Sequence, residues 1–213
     1  SYIIASGKDA GDIFTSHELI NKVTFTGSTG VGKTLIEQSA QTVKNVTMEL
    51  GGLAPFIVHK DADLEAAVDG TIASKFRNAG QTCICANRIY VHEDIADQYI
   101  ESLTEKVHDL KIGNGLDEGV KVGPVIDANA VEKVLSHITD AQDKGGKLSR
   151  SVDDIQSLGG NFLKPVVISN ANTNMKAMYE ETFGPVAPVM TYSDLDEVIR
   201  IANDTEFGLA SYF

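Results

Sequence analysis

Cysteine is scarce: the 213 residues hold two, Cys83 and Cys85. At that spacing a disulfide would close a very tight, strained ring, which excludes a disulfide scaffold and points to a reducing compartment. No run of Lys or Arg occurs, and 18 basic residues against 30 acidic ones leave a formal charge of −12. A polyanion such as nucleic acid would be repelled, so no nucleic-acid partner is expected. Apolar runs are short. Stretches such as Leu53-Ala54-Pro55-Phe56-Ile57-Val58 fall far below the roughly 20 residues of a membrane span, and no basic-then-apolar leader opens the chain. Neither membrane span nor membrane partner is expected, and the location expected by default is cytoplasmic. The five histidines, at positions 17, 59, 92, 108 and 137, lack zinc-ligand spacing and the partners of a Ser/His/Asp set, so metal catalysis is not expected. Internal repeats, low-complexity tracts and heptads are also missing. With no initial Met and strand-like residues at both ends, the chain reads as a piece of a larger protein.

What is present is a globular composition, 42% hydrophobic and 23% charged, arranged as alternating strand and helix patterns. Short β-branched segments at Tyr2 to Ala5, Lys22 to Thr26 and Asn45 to Leu50 predict strands, with a crossover helix over Thr34 to Ala40. Strands are predicted at Ala54 to Val58, Asn87 to His92, Pro165 to Ile168 and Ala187 to Thr191. Helices are predicted over Leu64 to Phe76, from an Asp94 cap through Leu110, over Asp127 to Lys144, and over Ser193 to Ala202. Such alternation implies right-handed crossovers and parallel sheets with flanking helices. Gly51-Gly52 interrupts an apolar run and marks a boundary between a nucleotide-binding portion, 1–52, and a second α/β portion, 53–213.

Three motifs could carry chemistry. Gly80-Gln81-Thr82-Cys83-Ile84-Cys85 sets a thiol among small and polar residues after Arg77-Asn78-Ala79, a context suited to an exposed, reactive turn; a packed small hydrophobe is the bland alternative. Glu49 closes an apolar segment before Leu50-Gly51-Gly52, where a sheet edge could present its carboxylate. Gly27-Ser28-Thr29-Gly30-Val31-Gly32-Lys33-Thr34 satisfies the phosphate-loop pattern G-x-x-x-x-G-K-[ST]. A P-loop NTPase with Lys33 on the phosphates and Thr34 on Mg²⁺ is therefore a rival reading, as is a folded piece without catalysis. No apolar strand ending in a metal-binding Asp follows convincingly.

Taken together, Gly27-Ser28-Thr29, Met48-Glu49-Leu50-Gly51-Gly52, Phe76 to Arg88, Glu180-Glu181-Thr182-Phe183-Gly184-Pro185 and Asn203-Asp204-Thr205-Glu206-Phe207-Gly208-Leu209 resemble the aldehyde dehydrogenase superfamily in its own order. The stretch around Cys83 is most similar to its succinate-semialdehyde branch. The resemblance implies a three-layer α/β enzyme, present in part: 1–52 the end of the dinucleotide-binding domain, 53–213 a catalytic domain incomplete at its C-terminus. It implies Cys83 as nucleophile and Glu49 as the base that activates water. Ser28, Val31, Leu50, Glu181 and Phe183 are implied to bind NAD or NADP, and Arg77 the carboxylate of the substrate. Cys85 is implied as redox partner of Cys83. The partner so implied is a small aldehyde, and the whole protein is expected to be a homodimer or homotetramer. This segment alone is expected to be inactive, because the first strands of the nucleotide site and the oxyanion-binding Asn lie outside it.

Overall fold

The computed structural model describes residues 2–213, which divide into two compact units, one up to Gly51 and the other Gly52–Phe213. In the first, α1 (Gly7–Ser16), β1 (Lys22–Thr26), α2 (Thr29–Ala40) and β2 (Asn45–Glu49) follow one another. β1 and β2 pair in parallel, Lys22 opposite Asn45 through Thr26 opposite Glu49. The strand expected over Tyr2 to Ala5 is not formed; these residues lie exposed outside any ladder. β-Propensity without a strand to pair with does not make a strand. Instead α1 follows, capped by the Ser6 hydroxyl, which accepts the Asp9 N–H at 3.1 Å; Gly7 and Gly11 obscure its pattern in the sequence. α2 starts five residues earlier than expected, at Thr29.

The second unit has one five-stranded sheet ordered β3-β4-β7-β6-β5. Its strands are β3 (Ala54–Val58), β4 (Ala86–His92), β5 (Lys147–Leu148), β6 (Val166–Ser169) and β7 (Val186–Tyr192). All neighbours run parallel except the short β5, antiparallel to β6. Its helices are α3 (Leu64–Lys75), α4 (Glu93–His108), α5 (Ala128–Asp143), α6 (Val152–Ile155), α7 (Lys176–Tyr179) and α8 (Leu195–Asn203). The period of two along each strand sorts side chains between two cores. Ile89 and Val91 pack with Val68 of α3 and Tyr99, Leu103 and Val107 of α4. Tyr90, Val166 and Ile168 face the other way, onto Val134 and Ile138 of α5 and Val198 of α8. The unit is thus helix, sheet, helix, and every residue of β4 is buried. Each such fully buried apolar side chain contributes about 1.5–3 kcal/mol.

Helix ends follow the capping chemistry with small shifts. Asp63 caps α3, accepting from Ala66 at 3.1 Å, and Asp127 caps α5, accepting from Ala130 at 2.8 Å. α4 is capped by His92 rather than Asp94, the Nδ1 atom accepting the Asp94 N–H at 3.2 Å. Arg88 is buried in β4, and its guanidinium donates to the carbonyls of Leu53 (3.0 Å), Ile201 (3.4 Å) and Ala202 (2.8 Å). The last two close α8, so a cation meets the negative end of that helix.

Candidate active site

In the first unit the expected residues cluster at the start of α2. The Ser28 hydroxyl accepts the Val31 N–H at 3.4 Å, and the Ser28 carbonyl accepts the Gly32 N–H at 3.0 Å. Leu50 lies over Gly32, where a β-carbon would come within 2.5 Å of its Cδ2. Glu49 is exposed at the end of β2, and its carbonyl accepts the Gly27 N–H at 3.0 Å. Ser28, Val31, Glu49 and Leu50 therefore surround one helix N-terminus, a position that favours negative charge. The same geometry removes the phosphate loop. A loop that wraps phosphates needs free successive amides up to its Lys, yet residues 29–34 are already helical, and the Thr34 hydroxyl donates to the Gly30 carbonyl at 3.2 Å.

In the second unit the expected residues come from the loops that precede β3, β4 and β7. They gather at the N-terminal edge of the parallel strands, opposite the edge where sites in open α/β sheets usually form. Asn78, Ala79 and Gly80 are successively left-handed, at φ 51°, 57° and 77°. For Ala this costs on the order of 1–2 kcal/mol, and a small network holds it in place. Asn78 Nδ2 donates to the Gln81 carbonyl at 3.1 Å, and Gln81 Nε2 returns a bond to the Asn78 carbonyl at 3.0 Å. Gln81 Oε1 accepts the Ile126 N–H at 2.8 Å. A tight turn follows, closed by the Cys85 N–H on the Thr82 carbonyl at 2.9 Å. Cys83, second in that turn, is partly exposed, whereas Cys85 is buried and its Sγ donates to the Arg77 carbonyl at 3.9 Å. Arg77 itself is exposed.

Backbone contacts lock the three loops together. A β-carbon on Gly52 would collide with the Cys83 carbonyl oxygen, and one on Gly80 with the Gly184 carbonyl oxygen. Gly80 also needs its positive φ, so no other residue satisfies both demands. Glu181 Oε1 accepts the Gly52 N–H at 3.0 Å. Burial pushes the Glu181 carboxyl above the usual range, while the Gly52 amide, Lys133 and Lys75 act against that rise. Beside it Phe183 is left-handed at φ 53° and exposed, a strained posture for an aromatic residue.

Two residues here were given no role from the sequence. His137 of α5 is buried and meets the Thr182 hydroxyl through Nδ1 at 3.0 Å and Glu180 through Nε2 at 3.3 Å, bracketing Glu181. Lys75, the last residue of α3, is fully buried, and its ammonium has no hydrogen-bond partner among the described residues. Its only sequence signal is periodicity: with Val68 and Thr71 it recurs on the buried face of α3.

Among the described residues no group of three or more His, Cys, Asp or Glu is placed to hold a metal ion, and no helix is long and apolar enough to cross a membrane. The aldehyde dehydrogenase family profile matches residues 1–213. The chain belongs to the aldehyde dehydrogenase family. Two relatives are the 3-sulfolactaldehyde dehydrogenase of Pseudomonas putida, 53% identical over all of this chain and 44% of its own length, and the NADP(+) succinate-semialdehyde dehydrogenase of Escherichia coli, 50% identical over 99% of this chain and 44% of its own. The crystal structure of a succinate-semialdehyde dehydrogenase from Burkholderia pseudomallei superposes with a TM-score of 0.95 at 49% identity, covering 99% of this chain and 43% of that one. This aldehyde dehydrogenase chain thus spans less than half the length of the relatives it matches. The P-loop reading ends here, on family and on geometry alike.

Proposed function

We propose that the intact protein oxidises a short aldehyde with an anionic far end, such as succinate semialdehyde, to the carboxylic acid, using NAD or NADP. The observation that carries this reading is the partly exposed Cys83 on a strained turn whose carbonyl abuts Gly52, itself bonded to Glu181. Cys83 as thiolate adds to the aldehyde carbon and the carbonyl oxygen becomes an oxyanion. The turn's own hydrogen bond uses the Cys85 amide, which leaves the Cys83 amide outside it and available to that charge. A bound nicotinamide dinucleotide supplies the acceptor for the hydride that leaves the adduct carbon. Glu49 then takes a proton from water, whose oxygen attacks the resulting thioester and releases acid and thiol.

The residues present fit such a cofactor. The N-terminus of α2, with Ser28 and an open Gly30, would receive its pyrophosphate, and Val31 and Leu50 supply apolar contact. Glu181 would hold ribose hydroxyls and Phe183 the ring. Arg77 would pair with the substrate's anion, since guanidinium matches carboxylate bidentately; the overall charge of −12 makes such a local cation necessary. The relatives act, by name, on succinate semialdehyde and 3-sulfolactaldehyde, one a carboxylate and the other a sulfonate, which keeps the anion in common. A homodimer or homotetramer is proposed for the intact protein, and weak cofactor binding for this segment alone.

Mixing intact protein with succinate semialdehyde, 3-sulfolactaldehyde or an uncharged aldehyde of equal length, with NAD or NADP, and following reduced-nicotinamide absorbance tests the proposal. Faster turnover of the anionic aldehydes is expected. Lack of turnover with every aldehyde would overturn the proposal, and preference for the uncharged one would remove Arg77 from it.

A further inference from the structure

Lys75 is a feature of this unit that the proposed chemistry leaves without a task and that stability alone does not account for. An ammonium group at the end of α3 is fully enclosed, and no acceptor among the described residues bonds it. Taking a charge out of water without a bonded partner is costly. The titratable groups that act on it are Cys85, in the turn after the nucleophile position, and Glu181, in the loop before β7.

We propose that Lys75 is a positioning residue for the cofactor side of this site: its enclosed ammonium keeps the Glu181 carboxylate charged, and that carboxylate fixes the Gly52 amide and, with it, the backbone that abuts Cys83. The functional half of the inference rests on the dinucleotide reading given above. Three groups favour the charged form of Glu181, in decreasing order: the Gly52 amide, bonded to it ahead of β3, then Lys133 from α5 and Lys75 from α3. Lys133 is exposed, so water and salt screen it; Lys75 is shielded from both, and its influence persists at high ionic strength. The Gly52 N–H prefers the charged carboxylate, so the bond and the charge support each other. Loss of the ammonium shifts Glu181 toward its neutral form, which accepts from Gly52 more weakly and would hold ribose hydroxyls less well.

The deciding measurement is the titration of Glu181 in intact, cofactor-free protein, read as the carboxyl infrared signal that disappears in Glu181→Gln. In Lys75→Met that titration should move to higher pH, and the displacement should survive at 1 M salt, a concentration at which the screening length is about 3 Å. Lys133→Met should move it only at low salt. With saturating aldehyde, Lys75→Met should raise KM for the dinucleotide roughly three- to ten-fold with kcat nearly unchanged, and Lys75→Arg should recover part of the loss. In a Glu181→Gln background the Lys75 substitution should add nothing. An unmoved Glu181 titration, or additive effects in the double variant, would overturn the inference. If the wild-type protein reduces no dinucleotide, the functional reading fails, while the titration still decides the role of Lys75.

Discussion

Gly52 and Cys83 touch backbone to backbone: the Cα of Gly52 sits so close to the Cys83 carbonyl oxygen that a β-carbon there would overlap it. The obstructing atom is main chain and cannot rotate aside. Gly52→Ala should therefore push the turn that carries Cys83 outward. We expect a loss of about 1–3 kcal/mol of stability, read by urea unfolding, and a fall in kcat larger than that loss of folded protein explains. Unchanged kcat would show that the turn tolerates displacement.

Cys83 and Cys85 share one turn but not one environment, the first partly exposed and the second buried. Cys83→Ser should abolish aldehyde oxidation by intact protein, because an alkoxide is not available at neutral pH without a dedicated base. Cys85→Ala should keep most activity. Peroxide should inactivate the wild type by joining the two thiols, with two waters formed, and dithiothreitol should restore it. Cys85→Ala should be inactivated beyond rescue as Cys83 oxidises further. Equal recovery of both proteins would dispose of the redox pairing.

Glu49 lies exposed at the end of β2. In Glu49→Gln, thioester formation should proceed while its hydrolysis slows, so stopped-flow mixing should show a burst of reduced nicotinamide stoichiometric with sites before a slow steady state. Steady turnover without a burst, at the wild-type rate, would assign the base elsewhere.

Lys75 carries a stability signature with a definite sign. Burial lowers its pKa from 10.5 to about 8, with Cys85 and Glu181 opposing the fall. The folded state thus gives up this proton before the unfolded chain does. The penalty is fully present below about 8 and fades as pH rises toward 10.5. Lys75→Met should stabilise the protein by on the order of 1–3 kcal/mol near neutrality, and the gain should shrink at alkaline pH. Destabilisation at neutral pH would mean that the ammonium is well solvated.

His137 depends on pH in the same direction, over a more acid window. Burial lowers its pKa below the ordinary 6.5, and Glu180 acts against that. Its contribution is present above 6.5 and is lost as pH falls through the lowered folded value. Thermal unfolding of His137→Gln should be flatter with pH than wild type below about 6.5, and the loop at 180–182 should exchange its amides faster. Parallel pH curves for the two proteins would remove His137 as the tether of that loop.

Much of this was legible in one dimension. β3 occupies the expected Ala54 to Val58, and α3, α5 and α8 begin where Asp63, Asp127 and Asp194 can accept from the first turn. These are local signals: period, cap and turn chemistry act over a few residues. The turn that carries the thiol was legible for the same reason, as a polar, Gly-containing stretch that interrupts the apolar pattern before it. Tyr2 to Ala5 shows the limit, because a strand exists only with a partner, and α1 was hidden by its glycines.

Composition, periodicity and motif order were enough for an acidic α/β chain with a loop-borne Cys83 and a strand-to-helix turn after Gly27, whose helix was expected only from Thr34. The fold had to settle that the phosphate-loop pattern is already helix, that the second unit's candidate residues gather at the N-terminal edge of the strands, and that Gly52 packs on the Cys83 backbone and Gly80 on that of Gly184. It also enclosed Lys75 near Cys85 and Glu181, which lies 106 positions from Lys75 in the sequence. Burial and Coulomb interactions depend on distance in space rather than along the chain, so no window of sequence could have shown that this lysine is a buried charge.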